Sequence, residues 1–225
     1  MTLRQVLKQL QELGNETTRT HNRKWGAGEN QYGVKHGDIR ELAKQLRSQP
    51  ELAEPLWKTN NLDAQLLAVL LIQPKTLSAD ALEQLVHTIS FSHVADWLCS
   101  YVIKVHPQKE ELRQRWLKSP DRWAARVGWS LTAERVVKDR QGLDLAGLLD
   151  RIEAELAEAD PVVQWTMNNT LAAIGIEVAK HRRRAAEIGE RLGVYRDYPA
   201  SKGCTSPFAP TWIAAMVSRK KSAEK

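Results

Sequence analysis

The sequence predicts an all-α chain of stacked helix pairs, an α-solenoid, and three observations predict it. Helical periodicity runs almost without interruption over 3–13, 38–48, 51–59, 63–72, 78–89, 93–105, 109–118, 121–137, 144–157, 161–178, 180–192 and 210–219. No stretch alternates apolar and polar residues well enough to demand a strand. Helix starts also recur. Asn61, Ser92, Ser119 and Asp160 stand where N-caps are wanted, 31, 27 and 41 residues apart, with Pro120 and Pro161 at the first helical position behind two of them.

Helix pairs at irregular spacings of this order point to repeats of HEAT-like type rather than to a closed bundle. Such a stack exposes the inner helix of each pair on a concave face that can hold a long ligand. One domain over residues 1–225 is expected, with an irregular C-terminal strap at about 193–210. Hydrophobic content of 42% and charged content of 27% suit a globular chain and leave no large disordered portion. No apolar run approaches the roughly 18 residues of a membrane helix. The start, MTLRQVLKQLQELG, is amphipathic and lacks the apolar block of a signal peptide. A reducing cytoplasm is therefore the expected location, with Cys99 and Cys204 as thiols.

The elements carry chemistry unevenly. After the first helix, residues 14–37 hold five glycines with Arg19, Arg23, Lys24 and Lys35, and read as a loop with at most a short helix, presenting cations and Trp25. In 93–105, Val94, Leu98, Tyr101 and Val105 form an apolar stripe, and Asp96 lies off it with Ser92, Ser100 and Ile103. A carboxylate there meets a ligand laid across the helix, or is simply solvated or paired with an arginine. The matching face of 121–137 carries Arg122, Arg126 and Trp129. In 161–178, Val163, Met167, Leu171, Ile174 and Val178 share the apolar face, which leaves Trp165, Asn168, Asn169 and Ala172 on the other.

An acid, arginines, tryptophans and amides on adjacent inner helices suit a groove for a sugar–phosphate backbone. Arginine makes bidentate phosphate contacts, and tryptophan offers flat contact to sugar or base. The competing reading is that the tryptophans pack between helices and that Arg126 is only a salt partner of Asp96.

Charge favours a polyanion. The net +6 is concentrated at the C-terminal end: residues 1–179 sum to −1 and residues 180–225 to +7. The excess begins at KHRRR, with Arg182, Arg183 and Arg184, and ends at RKK, Arg219 to Lys221. Nucleic acid is the first partner such an end attracts. The strap, GVYRDYPASKGCTSPFAP, reads either as a phosphate-contacting loop through Arg196 and Lys202 or as a cover packed on its neighbours, and the cover is favoured. Cys204 reads as a buried structural thiol, because no His or Lys is placed to activate it. Histidine and cysteine spacings hold no metal motif, and no phosphate-binding glycine loop or GxSxG elbow occurs, so neither metal nor cofactor is expected.

Several blocks in this order, YGVKHGDIRELAK (32–44), FSHVADWLCSYVIKVHP (91–107), RWLKSPDRWAARVGWSL (115–131), VVQWTMNNTLAAIG (162–175) and SKGCTSP (201–207), resemble the DNA alkylation repair (AlkD-like) family over nearly the whole length. The resemblance implies HEAT-like repeats whose concave, basic face grips double-stranded DNA. It also implies a monomer that associates with the nucleoid when DNA-bound.

Active members of that family excise N3- or N7-alkylated purines without metal and without flipping the base into a pocket. They use a carboxylate beside the deoxyribose and aromatic rings stacked on the sugar. A fixed negative charge suits the oxocarbenium character that cleavage develops at C1′. The resemblance places the catalytic carboxylate on Asp96 and its supporting arginine on Arg126. It places Ser92 where active members carry one tryptophan and Thr170 near the other, so Trp97, Trp129 or Trp165 would have to substitute. The expected DNA contacts are Arg122, Arg126, Trp129, Trp165, Asn169, Arg182, Arg183, Arg184 and Lys202. Three functions fit: an alkylpurine glycosylase, a non-catalytic binder of damaged or branched DNA, and a helical-repeat scaffold for proteins.

Overall fold

A computed structural model describes residues 1–223, and Glu224 and Lys225, the end of the expected single domain, lie outside the described residues. Among the described residues the regular elements are thirteen α-helices with short 3-10 and π turns, and no strand occurs. The chain divides between Glu110 and Glu111 into two compact units. Among the described residues no helix is long and apolar enough to cross a membrane.

In the first unit, α1 (Leu3–Leu13) starts at a capping box in which Thr2 and Gln5 satisfy each other's backbone N–H groups. α2 (Glu16–Lys24) is capped by Asn15 and occupies part of the 14–37 segment, which is thus helical in its first half and loop in its second. α3 (His36–Gln45) follows, then a 3-10 turn (Pro50–Leu52) leading into α4 (Ala53–Lys58). α5 (Leu62–Leu71) begins where Asn61 accepts from the N–H groups of Asp63 and Ala64, at 3.1 and 3.2 Å. It is buried on all sides from Leu62 to Val69 and packs against α1, α3, α4 and α7, so it is the axis of this unit. α6 (Ala79–His87) is capped by Ser78, and α7 (Ser92–Trp97) runs on through a π turn (Leu98–Val102) and a 3-10 turn (Ile103–Val105).

The π turn corrects the expected face of this helix. Closing through i→i+5 bonds inserts one residue into the helical count, so the apolar positions beyond it slip by one. Val94 and Leu98 are buried as expected, but Val102 and Ile103 then take the core positions. Tyr101 is 43% exposed and Val105 61% exposed. Ile103, expected on the face of Asp96, is core.

The loop between α2 and α3 is held from inside. Asp63, in the first turn of α5, is fully buried, and its carboxylate accepts from the backbone N–H groups of Tyr32 at 2.6 Å, Gly33 at 3.0 Å and Val34 at 3.0 Å. Burial pushes its carboxyl above the usual range while the three amides pull against that shift. Gly33 sits in the left-handed region at φ +79°, and a Cβ there would lie 2.4 Å from Arg19 Cγ and 2.5 Å from the Asn15 carbonyl oxygen. Gly33→Ala is expected to cost about 2–4 kcal/mol, since strain and a backbone clash coincide; the midpoint of urea unfolding checks this.

In the second unit, α8 (Lys109–Trp116), whose first residues precede the boundary, is followed by α9 (Arg122–Lys138), α10 (Leu145–Glu155), α11 (Pro161–Glu177), α12 (Ala179–Leu192) and α13 (Ala209–Ala223). α11 packs on α9, α10, α12 and α13 around a core that includes Trp129, Leu149, Ile152, Met167, Leu171, Ile174, Ile188 and Ile213. Gly128 lets α9 approach the end of α8, where a Cβ would come 2.7 Å from the Leu117 nitrogen.

Two expected caps move. Phe91, not Ser92, is the N-cap of α7, and Asp121 caps α9 by accepting from Trp123 and Ala124, so Pro120 stands outside the helix and Ser119 supports the cap. Asn61 and Asp160 hold as caps, with Pro161 at the first position of α11. The caps at 61, 91, 121 and 160 are spaced by 30, 30 and 39 residues, a more regular repeat than the sequence reading proposes.

Candidate functional site

Two groups of side chains, one in each unit, gather polar and aromatic chemistry. In the first unit, Asp96 is partly exposed on α7, one helical turn from Ser92 and Ser100. Beside its helix, the Arg40 guanidinium of α3 lies 4.5 Å over the Trp97 ring. Its Nε and Nη2 donate to the Tyr101 hydroxyl at 3.4 and 3.3 Å, and its Nη1 donates to the His36 carbonyl at 3.3 Å. His36 packs 5.0 Å from Trp97 and 5.3 Å from His93, ring to ring. Burial, then the neighbouring His93, Arg40 and His21, holds the His36 imidazole below its ordinary value, so it is the neutral form that fits between the rings. Trp97 is buried with a cation on its face, which leaves it no free face for a sugar. Arg40 and Tyr101 are the residues that sequence reasoning misses here. Their pairing spans 61 positions, and the π turn that exposes Tyr101 has no sequence signature.

In the second unit, the expected inner faces of α9 and α11 are largely enclosed. Trp129 is 1% exposed, with the Arg151 guanidinium 5.1 Å from its ring on one side. It is a core residue, which corrects its assignment to a DNA groove. Asn168 and Ala172 are buried as well, and the Asn168 amide donates to the Pro207 carbonyl at 2.8 Å, tying the strap to α11. Thr170 is fully buried, and its one hydroxyl hydrogen is shared between the carbonyls of Trp129 and Thr166, each 3.0 Å from Oγ1.

Arg126 is only 4% exposed and donates to the Val162 carbonyl at 2.6 Å, at the start of α11. The guanidinium that the sequence places in the groove is thus largely enclosed, with at least one of its donors held by α11. Trp165, partly exposed on α11, meets Tyr195 at 5.3 Å and Tyr198 at 5.8 Å, with 5.6 Å between the two tyrosines. Burial pushes the Tyr195 phenol up to about 12, against the pull of the nearby Arg126. Asn169, one turn beyond Trp165, is partly buried, and its Oδ1 has no hydrogen-bond partner.

The basic segment separates into roles. Arg182 donates to the carbonyls of Gly175 at 2.9 Å and Ile176 at 3.1 Å, which closes the C-terminal end of α11. Arg184 is paired with Asp150 and with Glu153, and these acids hold its guanidinium above the ordinary value, so it too is committed. Arg183 projects outward with its side chain 91% exposed, 3.5 Å from Glu187. Arg122 is exposed and lies 3.5 Å from Asp160, and Lys202 is exposed on the strap. Arg196 pairs with Glu190 and covers the Phe208 ring at 4.8 Å, so the strap is anchored by it as well as by buried Pro207, Phe208 and Ala209. Cys204 is exposed on that strap, not buried as the sequence suggests. Its neighbours are small and polar, so nothing draws it inward. Among the described residues no group of three or more His, Cys, Asp or Glu side chains is placed to hold a metal ion.

Known proteins are similar to this chain in sequence and, in one case, in fold. An uncharacterized protein of Listeria innocua is 22% identical over 220 residues, covering 95% of this chain and 96% of its own. An uncharacterized protein of Listeria monocytogenes is 23% identical over 228 residues, covering 98% and 100%. A solved structure from a family related to the HEAT-like repeat DNA glycosylases, with affinity for branched DNA structures, superposes with a TM-score of 0.80 at 23% identity, over 98% of this chain and 95% of that one. The fold is accordingly all-α and HEAT-like. A model of the DNA alkylation repair enzyme family matches residues 6–210. With nearly its full length matched, the chain belongs to the DNA alkylation repair enzyme family.

Proposed function

We propose that this chain binds DNA through its phosphate backbone, with branched DNA among its targets, and that binding rather than base excision is its main task. Family membership and the HEAT-like fold support the first part, together with the affinity for branched DNA of the structural relative. The observation that carries the second part is Thr170. Near the position where the resemblance places a second sugar-stacking tryptophan, the chain has a fully buried threonine whose hydroxyl is turned to carbonyls inside the core. Ser92 at the start of α7 supplies no ring either. Backbone contact then falls to exposed cations, with Arg122, Arg183 and Lys202 in the lead.

Wild-type affinity for duplex DNA is expected to fall about a hundredfold between roughly 50 and 200 mM salt, as release of about four phosphate contacts implies. The double variant Arg183→Gln, Lys202→Gln should lower the slope of log affinity against log salt by about two. Affinity indifferent to salt and to these substitutions argues instead for a protein-binding scaffold.

Excision is a second reading, favoured by Asp96 itself, a partly exposed carboxylate on the same helix as exposed Tyr101. In it, the carboxylate stabilises positive charge developing on the sugar of an alkylated purine, whose cationic base is already a good leaving group. Release of 7-methylguanine by wild type but not by Asp96→Asn supports it, and release no faster than in buffer removes it.

A further inference from the structure

The cations proposed above as backbone contacts, Arg122, Arg183 and Lys202, all belong to the second unit. In the first unit, α3 and α7 build a separate basic group around Arg40. Its guanidinium lies on the Trp97 ring and donates only to neutral oxygens, the Tyr101 hydroxyl and the His36 carbonyl. Arg40 is thus supplied with acceptors, but among the described residues it has no opposite charge. Arg19 and Arg23 of the preceding α2 are paired with Glu16 and Glu29. Asp96, the one acid between Ser92 and Val105, is not paired with Arg40. An exposed guanidinium whose orientation is fixed by a ring, a hydroxyl and a carbonyl, and whose charge is left intact, is preorganised for an anion.

Two neighbours add to it. The Tyr101 oxygen accepts from Arg40, so what this exposed phenol has left to offer is its own hydrogen. His36 shares the Trp97 ring with Arg40. The charged groups acting on His36 are all bases: His93 from α7, Arg40 from its own helix and His21 from α2. α5 also packs on α3, but its one acid, Asp63, is spent on the loop amides. A guanidinium, a hydroxyl and an imidazole set among bases suit a phosphate, the group a DNA strand repeats along its length.

We propose that Arg40, Tyr101 and His36 hold one backbone phosphate of DNA in the first unit, and that His36 takes up a proton from solvent as the phosphate arrives. Arg40 and the Tyr101 hydroxyl donate to the phosphate oxygens. Without a ligand, burial and the surrounding bases keep His36 neutral near neutral pH. A phosphate beside it favours the imidazolium, so affinity rises as pH falls toward the value at which the free protein itself binds that proton, and levels off below it. This inference rests on the DNA-binding reading and adds to it a site in the other unit and a proton.

The test titrates the full chain onto one linear duplex by fluorescence anisotropy, across salt and, at fixed ionic strength, across pH. Arg40→Gln should weaken binding about tenfold and lower the slope of log affinity against log salt by about one, as loss of one phosphate contact does. Tyr101→Phe, which keeps the ring, should weaken it about fivefold and leave the slope unchanged, as loss of one uncharged donor does. Between about pH 7.5 and about pH 5.5, wild-type affinity should rise about tenfold more than that of His36→Gln, within what uptake of one proton allows. Thermal unfolding identifies the folded variants. A folded Arg40→Gln with the wild-type slope overturns the site, and matching pH profiles of wild type and His36→Gln overturn the proton uptake; salt-dependent binding by wild type then leaves the DNA reading standing. If Arg40→Gln does not fold, Tyr101→Phe decides, and wild-type affinity in that variant overturns the site. Failure of wild type to bind the duplex at low salt overturns both readings.

Discussion

Asp63→Ala is expected to lower the unfolding free energy by about 3–5 kcal/mol, because it strands three backbone N–H groups that no water reaches easily. The carboxylate is fully buried and is the shared acceptor for Tyr32, Gly33 and Val34, so both its oxygens are in use. Without it, the loop between α2 and α3 loses the clasp that fixes the start of α3. Asp63→Asn should recover little of the loss, since one oxygen becomes an NH2 group facing an N–H donor. Urea unfolding followed by far-UV circular dichroism measures both variants. A cost below about 1 kcal/mol for Asp63→Ala would mean that this loop is held by its flanking helices and not by the acid.

Trp129→Ala should cost a comparable amount, about 3–5 kcal/mol, the range for removing a large enclosed aromatic side chain. At 1% exposure the indole gains nothing from a DNA partner, and it packs α9 against the core of the second unit under the Arg151 guanidinium. The measurement separates two roles that the sequence leaves open. A core tryptophan loses stability on truncation. A groove tryptophan would leave stability within about 0.5 kcal/mol, as surface substitutions do, and lower only DNA affinity. Denaturant unfolding and duplex titration on the same preparation therefore decide it, and the expected result is the first.

These two residues show what the sequence could and could not convey. Helix periodicity, the caps at Asn61 and Asp160 and the recurrence of helix pairs are local signals, and they place nearly every α-helix within a few residues. Asp63 looks like an ordinary acid in a first helical turn, because its three partners lie 29 to 31 residues earlier. Periodicity places Trp129 and Arg126 in a groove only if each helix has one buried face. Yet α9 is buried at every position from Trp123 to Trp129, nearly two full turns, the mark of a helix enclosed on all sides along that stretch.

A single inserted residue in the π turn moves Tyr101 off the apolar stripe that periodicity predicts, an irregularity that propensity does not encode. The basic run at Arg182 to Arg184 reads in sequence as one patch. In the fold, it splits into a helix-end cap, an exposed cation and a paired cation, because the acids that neutralise it come from α10. The tyrosines of the strap were visible in sequence, but their meeting with Trp165 depends on how the strap is fastened to α11 at Pro207.

The most direct test of the account is a competition between a four-way DNA junction and a linear duplex of equal total length for the full chain, repeated at low and at physiological salt. The account predicts that both DNAs bind, that the junction is preferred, and that both affinities drop steeply as salt rises. A chain that ignores both DNAs at low salt, or holds them with salt-independent affinity, contradicts it.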